Sequence, residues 1–208
     1  MNPMIPQGFQ RHDLGGGHVF LTGHLSSELL ASISFAELWD LHPPEFPEIH
    51  MHGHRVKIPR WQQAYGVAYR FSGKVSEALP VPACLEPIRE WCRAKIDPAL
   101  NGLLLNWYDG QLGHYIGRHR DSTHDLLPDS GIVTVSLGEE RVFRLRPWPH
   151  RFETKPLDFR TSDGSVFILP WVTNRAFTHE VTASKRLTGR RISVTLRAFG
   201  ESLAANPP

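Results

Sequence analysis

Three side chains in the second half of the sequence have the residue types and spacing of an iron site. His119 and Asp121 form an H-x-D pair in the segment GHYIGRHRD, and residues two apart on a strand point to the same side of the sheet. His179 lies 60 residues later, in the strand-like segment RAFTHEV. Two histidines and one carboxylate on one face of a metal leave positions open, which is typical of non-haem Fe(II) oxygenases, whereas structural zinc uses four ligands and usually cysteine. The three residues therefore predict an Fe(II) site.

The number of histidines leaves alternative ligands. The sequence contains 12 of them, so an H-x-D pair also arises by chance. His114 and His124 flank the pair and could ligate the metal instead, although an ordinary core or surface role fits both better. His114 lies five positions from His119, which would put it on the opposite face of a regular strand.

Two arginines near the end of the sequence strengthen the metal prediction. Arg191 and Arg197 lie six residues apart in RRISVTLRAF, so on a strand they face the same way as Ser193 and Thr195. A planar, permanently charged guanidinium suits bidentate binding of a carboxylate. Two arginines that point into a β core beside a metal would be unsatisfied unless a dianion joined them.

Short strands are the elements expected to carry these side chains. After Pro98 the sequence consists of strand-like segments of four to ten residues, such as LLLNWY, GIVTVSL and SVFILP, separated by turn residues. Before it, a helix is predicted from Ser26 through SSELLASISFAELWDL, and a second from about Pro82 to Ala94. We expect an α+β, mainly β fold: a jelly roll with the N-terminal helices packed on one face.

Composition permits a nucleic-acid partner without requiring one. Hydrophobic residues make up 40% and charged residues 21% of the 208 residues, and the formal net charge is +2, which is ordinary for a globular protein. The start lacks the pattern of a signal peptide, and no apolar stretch approaches the roughly 20 residues of a membrane span. Cys84 and Cys92 lack CxxC spacing. We expect a cytoplasmic monomer, or a nuclear one in a eukaryote, with no membrane and no obligate protein partner.

Several motifs, in order and with consistent spacing, resemble the AlkB-type Fe(II)/2-oxoglutarate-dependent dioxygenase family over about residues 49–199. The resemblance is closest to the animal-type DNA-repair branch of that family, whose PRxQxxYG and YxFSG motifs correspond to Pro59–Gly66 and Tyr69–Gly73. The other matching segments are Asn106-x-Tyr108, Ile116-Gly-x-His119-x-Asp121, SLGEERVFRLR, His179-x-Val181 and Arg191-x-Ser-x-Thr-x-Arg197.

The resemblance implies a double-stranded β-helix fold and the cofactors Fe(II), 2-oxoglutarate and O2. It also implies oxidative demethylation of N-alkylated nucleobases, such as 1-methyladenine or 3-methylcytosine, in DNA or RNA, with release of formaldehyde, succinate and CO2. By the same resemblance Asn106, Tyr108 and Arg191 would hold the distal carboxylate of 2-oxoglutarate, and Arg197 the end that chelates iron. Ser193 occupies the position where the family has asparagine, and we expect its hydroxyl to keep a contact to the cofactor, directly or through a water.

The same resemblance suggests how a nucleic acid would be bound. Tyr65 and Tyr69 are candidates to line or cover the base pocket, because aromatic faces stack on bases. Met51 and His52 lie where the repair branch carries an apolar wedge that invades the duplex. An excess of arginine over residues 141–160 could follow phosphates. The expected units are an N-terminal lead and helix (1–48), a nucleotide-recognition hairpin and lid (49–80), the catalytic β core (81–200) and a tail (201–208).

One departure from the family pattern leaves the substrate open. Two positions after Asp121, where the repair enzymes place an acidic residue that reads the alkylated base, this chain has Thr123. Asp125 could substitute from a neighbouring turn. The alternative functions are a 2-oxoglutarate-dependent hydroxylase or demethylase that acts on a protein or small molecule, and a non-catalytic nucleic-acid-binding module.

Overall fold

The computed structural model describes residues 5–51, 54–71, 74–149 and 155–200, and strands are the main regular element of these residues. The strands are β1 (Gln10–Gly15), β2 (His18–His24), β3 (Glu48–Met51), β4 (His54–Lys57), β5 (Trp61–Tyr65), β6 (Tyr69–Phe71), β7 (Lys74–Ser76), β8 (Ala78–Leu79), β9 (Gly102–Asp109), β10 (Ile116–His119), β11 (Ile132–Gly138), β12 (Val142–Pro147), β13 (Leu157–Arg160), β14 (Ser165–Leu169), β15 (Phe177–Val181) and β16 (Arg190–Arg197). The helices are α1 (Ser27–Ser32), α2 (Phe35–Asp40), α3 (Glu86–Lys95) and α4 (Trp171–Ala176), with a 3-10 turn at Ala83–Leu85.

Two sheets form the body of the protein. The larger has the strand order β1-β2-β14-β11-β16-β9-β5-β8, and the smaller has the order β10-β15-β12-β13. Pairing within them is antiparallel except between β5 and β8. Two hairpins, β3–β4 and β6–β7, form separate two-stranded sheets. This is the double-stranded β-helix, or jelly roll, that the sequence predicts.

The alternation of side chains along each strand of the larger sheet produces two core layers. On β9, Leu103, Leu105 and Trp107 join the layer beneath the helices, whereas Leu104 and Tyr108 join the layer between the two sheets. Side chains two apart on a strand share a face, which explains why each strand contributes to both layers. The layer beneath the helices is the outer layer, and the layer between the sheets is the inner layer, which borders the site described below.

The helices cover the outer face of the larger sheet, as predicted. Leu38 of α2 and Ile88 of α3 are fully buried against this face. The predicted single helix from Ser26 is wrong in one respect, because it divides into α1 and α2 at Ile33, whose backbone is extended. Ser34 starts the second helix, and its side chain accepts a hydrogen bond from the Glu37 amide. Capping of this kind satisfies an amide that the first turn of a helix leaves unpaired.

The expected boundaries at residues 48 and 80 remain predictions. Strands β1 and β2 from the N-terminal lead, and β5 and β8 from the predicted lid, belong to the same sheet as the β core. The predicted tail, 201–208, lies outside the described residues. Within the described ranges, no helix has the length and apolar character needed to cross a membrane.

Candidate metal centre

A cavity of about 900 Å³ opens between the two sheets. Its walls are the inward faces of β9, β11, β14 and β16 from the larger sheet and of β10, β12 and β15 from the smaller one. Phe20, Phe143 and Phe167 form an aromatic part of the wall, with ring centroids 5.3–5.7 Å apart. The predicted metal ligands and the predicted cofactor residues belong to this lining.

The three predicted metal ligands converge in the cavity. His119, at the end of β10, is paired across the sheet with His179 on β15, and their ring centroids are 4.2 Å apart. The Nε2 atoms of His119 and His179 lie 3.5 and 3.8 Å from the Asp121 Oδ1 atom. One ligand atom from each residue falls within 4.8 Å of the others, which fits a single metal ion.

Both histidines direct Nε2 toward this point. The Nδ1 atom of His119 lies 2.8 Å from the Gly117 carbonyl oxygen. Because a carbonyl can only accept, Nδ1 is the donor in this contact, which fixes the ring with Nε2 toward the metal position. Burial, followed by the neighbouring His119, lowers the pKa of His179 to about 3. A neutral His179 can ligate a metal without first losing a proton.

Asp121 is held as a carboxylate. Burial alone would raise its pKa, but Arg197 and the two histidines outweigh that effect and keep the pKa of Asp121 well below its usual value. The Arg197 guanidinium donates to the Asp121 Oδ2 atom from Nη2 at 2.5 Å and from Nε at 3.2 Å. The Tyr69 hydroxyl donates to Oδ1 at 3.4 Å. Oδ2 is thus occupied by Arg197, and Oδ1 faces the two imidazoles.

The backbone of Asp121 is fixed by Asn174, a residue that the sequence did not single out. The Asp121 amide donates to the Asn174 Oδ1 atom at 3.1 Å, and Asn174 Nδ2 donates back to the Asp121 carbonyl at 3.0 Å. Asn174 is fully buried in α4, and the adjacent Thr173 exchanges hydrogen bonds with both backbone groups of Val19 on β2. Helix α4 therefore connects Asp121 to strand β2 of the larger sheet.

Arg191 has the properties expected of a carboxylate-binding residue. It is 1% exposed, and its Nε donates to the Ser136 hydroxyl at 2.9 Å. Its guanidinium lies over the Tyr108 ring, 5.0 Å from the centroid, while Nη1 is buried without a hydrogen-bond partner. Burial lowers the pKa of Arg191. A buried, unsatisfied cationic donor in a cavity wall is costly unless an anion completes it, so the residues present fit a carboxylate of 2-oxoglutarate.

The other predicted cofactor residues lie beside Arg191. Pairing of β9 with β16 places Ser193 opposite Asn106 and Arg191 opposite Tyr108, and all four residues line the cavity. The Asn106 Oδ1 atom accepts a hydrogen bond of 2.8 Å from the Nε atom of Arg60. Because the amide oxygen is engaged in this way, Asn106 is left to donate through Nδ2.

The sequence indicated Arg60 only as part of the PRxQxxYG motif, yet its side chain belongs to the site. It is 8% exposed and lines the cavity, where its Nη2 donates to Gln62 Oε1 at 3.1 Å. The signal that could have found it is the alternation of β5, which places Gln62 and Ala64 on the inner face and Trp61 and Gln63 on the other.

Only some of the predicted substrate residues line the cavity. Tyr69 and Thr123 line the cavity. Tyr65 does not, and its assignment to the base pocket is corrected here, because it belongs to the outer core layer beneath the helices. The Asp125 carboxylate lies outside the lining, 2.8 Å from His124 and 3.8 Å from Arg70. The side chain of Met51 and the whole of His52 lie outside the described residues.

The two alternative histidine ligands and the basic run lie away from the predicted metal position. His114 is buried against Trp61 and accepts a hydrogen bond from the Asp109 amide. His124 has an 87% exposed side chain. Neither joins the metal cluster found among the described residues. The basic run is largely paired with carboxylates, in the pairs Arg141–Glu139, Arg144–Asp158, Arg146–Glu180 and Arg160–Glu140.

The 2OG-Fe(II) oxygenase superfamily model matches residues 19–197, which include every ligand described above. The chain belongs to this superfamily. Its cofactors are accordingly Fe(II), 2-oxoglutarate and O2, and the triad and the buried arginines are the residues that fit them. When bound, these cofactors supply the oxidising chemistry, and the chain supplies their positions.

The chain is also similar to known AlkB-type proteins. It is 30% identical over 148 residues to the DNA oxidative demethylase ALKBH2 of Homo sapiens, covering 67% of this chain and 56% of the human protein. It is 29% identical over 158 residues to the Mus musculus protein of the same name, covering 72% and 66%. The match therefore spans a little over half to two thirds of these relatives. The solved structure of OsALKBH1 has a TM-score of 0.56 at 17% identity, covering 90% of this chain and 99% of that one, and supports the fold.

Proposed function

We propose that this protein is an Fe(II)- and 2-oxoglutarate-dependent dioxygenase that oxidatively demethylates N-alkylated nucleobases in DNA or RNA. The observation that carries the dioxygenase assignment is the unsatisfied Arg191 Nη1 in the same cavity as the metal triad. The ALKBH2 relatives, whose name describes DNA oxidative demethylation, support the nucleobase substrate.

Charge around the cavity supports a polyanionic substrate. Lysine and arginine side chains on its exposed wall are Lys57, Arg70, Arg118, Arg120 and Arg175, and Asp121, buried at the metal, is the one carboxylate among the described lining residues. Phosphate groups bind to such a wall without base preference, and displacement of their counterions makes the binding weaken with salt. A base must leave its stack to reach a buried metal, so the substrate is single-stranded or flipped out.

The residues of the chain then have separate tasks. His119, Asp121 and His179 would hold the metal, and Arg191, Asn106 and Tyr108 would hold the distal carboxylate of 2-oxoglutarate. Asn174 keeps the Asp121 backbone in place, because it bonds to both of its polar groups. Tyr69, which contacts both Asp121 and Arg197, lies where its ring can border the base. The apolar wall of Phe20, Phe143 and Phe167 excludes water from the far side of the cavity.

The test uses iron-loaded protein, 2-oxoglutarate and short single strands that each carry one N-methylated base. We expect mass spectrometry to show loss of one methylene unit from the strand, with matching formation of formaldehyde and succinate. Succinate formation without change in any strand would contradict the nucleobase assignment and favour a protein or small-molecule substrate. No succinate under any condition would contradict the dioxygenase assignment itself.

A variant pair tests the basic wall. Arg118→Gln should weaken binding to strands of any sequence and reduce the slope of log affinity against log salt by about 1. Arg186→Gln serves as the control, because Arg186 is exposed but lies outside the cavity lining. Equal effects of the two substitutions would contradict a role for this wall.

A further inference from the structure

The buried part of the cavity has an excess of positive charge. Arg60, Arg191 and Arg197 are each at least nine-tenths buried and line it, whereas Asp121 is the single carboxylate among the described lining residues. A bound 2-oxoglutarate dianion and the Asp121 carboxylate together would offset a divalent metal and one guanidinium. Two of the three buried arginines would then keep an uncompensated charge.

Arg60 has one donor group without a hydrogen bond to the described residues. Its Nε donates to Asn106 and its Nη2 to Gln62, so Nη1 has no hydrogen-bond partner within the described ranges. Its side chain is close enough to Asp121 and Tyr69 to interact with both electrostatically, which places it on the metal side of the cavity. An unpaired guanidinium N–H on an arginine that lines a cavity can donate to a ligand oxygen.

Apart from Asp121 at the metal position, no carboxylate of the described residues lines the cavity to balance this charge. Thr123, two residues after Asp121, lines the cavity with a neutral hydroxyl. Asp125 pairs with His124 and Arg70 and is not part of the lining. A cationic base would therefore meet Arg60 in a cavity of reduced dielectric, where repulsion between like charges is strong.

Methylated bases differ in charge according to the nitrogen that carries the methyl group. Methylation of a ring nitrogen without hydrogen, as in 1-methyladenine and 3-methylcytosine, produces a cation at neutral pH. Methylation of a ring N–H, as in 3-methylthymine and 1-methylguanine, replaces the hydrogen and leaves the base neutral. A carbonyl oxygen flanks the methylated nitrogen in both neutral bases, and such an oxygen accepts hydrogen bonds from a guanidinium or hydroxyl. The cation 3-methylcytosine shares such a carbonyl, so its positive charge is what distinguishes it from the neutral bases, whereas 1-methyladenine lacks the carbonyl as well.

We propose that Arg60 and Thr123 select neutral, carbonyl-bearing bases methylated at a former N–H position over cationic methylated bases. Arg60 donates to the carbonyl beside the methyl group, and Thr123 supplies a neutral contact where a carboxylate would favour a cation. This inference rests on the nucleobase demethylation proposed above and names the substrate class of the same site.

The test compares four strands of one sequence that carry 3-methylthymine, 1-methylguanine, 3-methylcytosine or 1-methyladenine at the same position. We expect kcat/KM for the neutral bases to exceed that for the cationic bases by about tenfold or more, and dissociation constants measured without oxygen to follow the same order. A preference for the cationic bases would overturn this inference and leave the demethylase proposal standing. Inactivity on all four strands with intact succinate formation would instead contradict the demethylase proposal.

Matched variants identify the residues responsible. Thr123→Glu should shift the neutral-to-cationic ratio of kcat/KM toward the cations by about tenfold, and Thr123→Gln, which has the same size without the charge, should leave the ratio near that of the wild type. His124→Glu adds the same charge one residue away on an exposed side chain and should not change the ratio. Equal ratios for Thr123→Glu and Thr123→Gln would refute the role of position 123.

Arg60→Gln should lower activity on the neutral bases more than on the cationic ones. Arg60 also orients Asn106, so this substitution will weaken 2-oxoglutarate binding as well. That second effect cancels in the ratio, because both substrates are compared on the same protein. An unchanged ratio would show that Arg60 acts only on Asn106.

Discussion

Replacement of Arg191 by methionine should affect cofactor affinity and protein stability in opposite directions. Arg191 is 1% exposed, and its Nη1 is buried without a partner. An unsatisfied buried donor costs about 1–3 kcal/mol. Methionine removes that donor while filling much of the same space, so the cofactor-free variant should be at least as stable as the wild type.

The loss of cofactor affinity follows from the same contacts. A hydrogen bond between charged groups contributes about 1.5–3 kcal/mol, and a guanidinium can offer two of them to one carboxylate. Loss of both should weaken 2-oxoglutarate binding by at least about 3 kcal/mol, which corresponds to roughly a hundredfold.

Thermal unfolding with and without 2-oxoglutarate measures both effects. A ligand at about 100 times its Kd stabilises the folded state by about 2.7 kcal/mol, and 1 kcal/mol moves the Tm of a chain of this size by about 2–4 °C. The Tm of the wild type loaded with Mn(II) should therefore rise by about 5–10 °C on addition of 2-oxoglutarate. The Tm of Arg191→Met should rise by about 1–2 °C at the same ligand concentration.

The control is Arg190→Met, one residue away on the same strand but exposed and outside the cavity lining. Its response to 2-oxoglutarate should equal that of the wild type. A full ligand-induced shift in Arg191→Met would refute the assignment of Arg191 to the cofactor carboxylate. A large loss of stability in the cofactor-free variant would refute the argument from its unsatisfied donor.

Three further changes have predicted outcomes. Asp121→Asn should abolish Mn(II) binding by calorimetry and also lower the urea midpoint of the metal-free protein, because the buried Arg197 loses its charged partner at a cost of about 3–5 kcal/mol; an unchanged midpoint would contradict that pairing. Asn174→Ala should weaken metal binding by about 10–100-fold through the Asp121 backbone, and normal affinity would make Asn174 only a fold residue. Burial lowers the pKa of His114 below 6.5, so its contribution to stability is present above about pH 6.5 and is lost as the pH falls below it; a His114→Gln variant should lose less stability on acidification than the wild type.

The sequence could predict which residues face the cavity where this follows from the alternation of side chains along a strand. Arg191, Ser193, Thr195 and Arg197 all line the cavity, because residues two apart on β16 share a face and a strand keeps this relation whatever it packs against. The H-x-D pair converges for a related reason, although the strand ends at His119 and Asp121 follows it.

The errors arose where the outcome depends on tertiary packing. Tyr65 and Tyr69 both lie in family motifs, but which face of β5 points inward is decided by pairing with β9, and this pairing places Tyr65 under the helices. Asn174 lies in a six-residue helix, too short for its apolar period to be recognised. The division of the first predicted helix was detectable, because Ser34 and Glu37 have the S-x-x-E spacing of a capping box.

The linkage through α4 has a consequence for the first strands of the chain. Val19 on β2 holds Thr173, and the next residue, Asn174, holds the Asp121 backbone. Removal of the segment that contains β1 and β2 would release α4 from the larger sheet and loosen the predicted carboxylate ligand, although that segment contributes no predicted ligand itself. A fragment that begins after β2 would therefore retain all three predicted iron ligands and bind iron poorly.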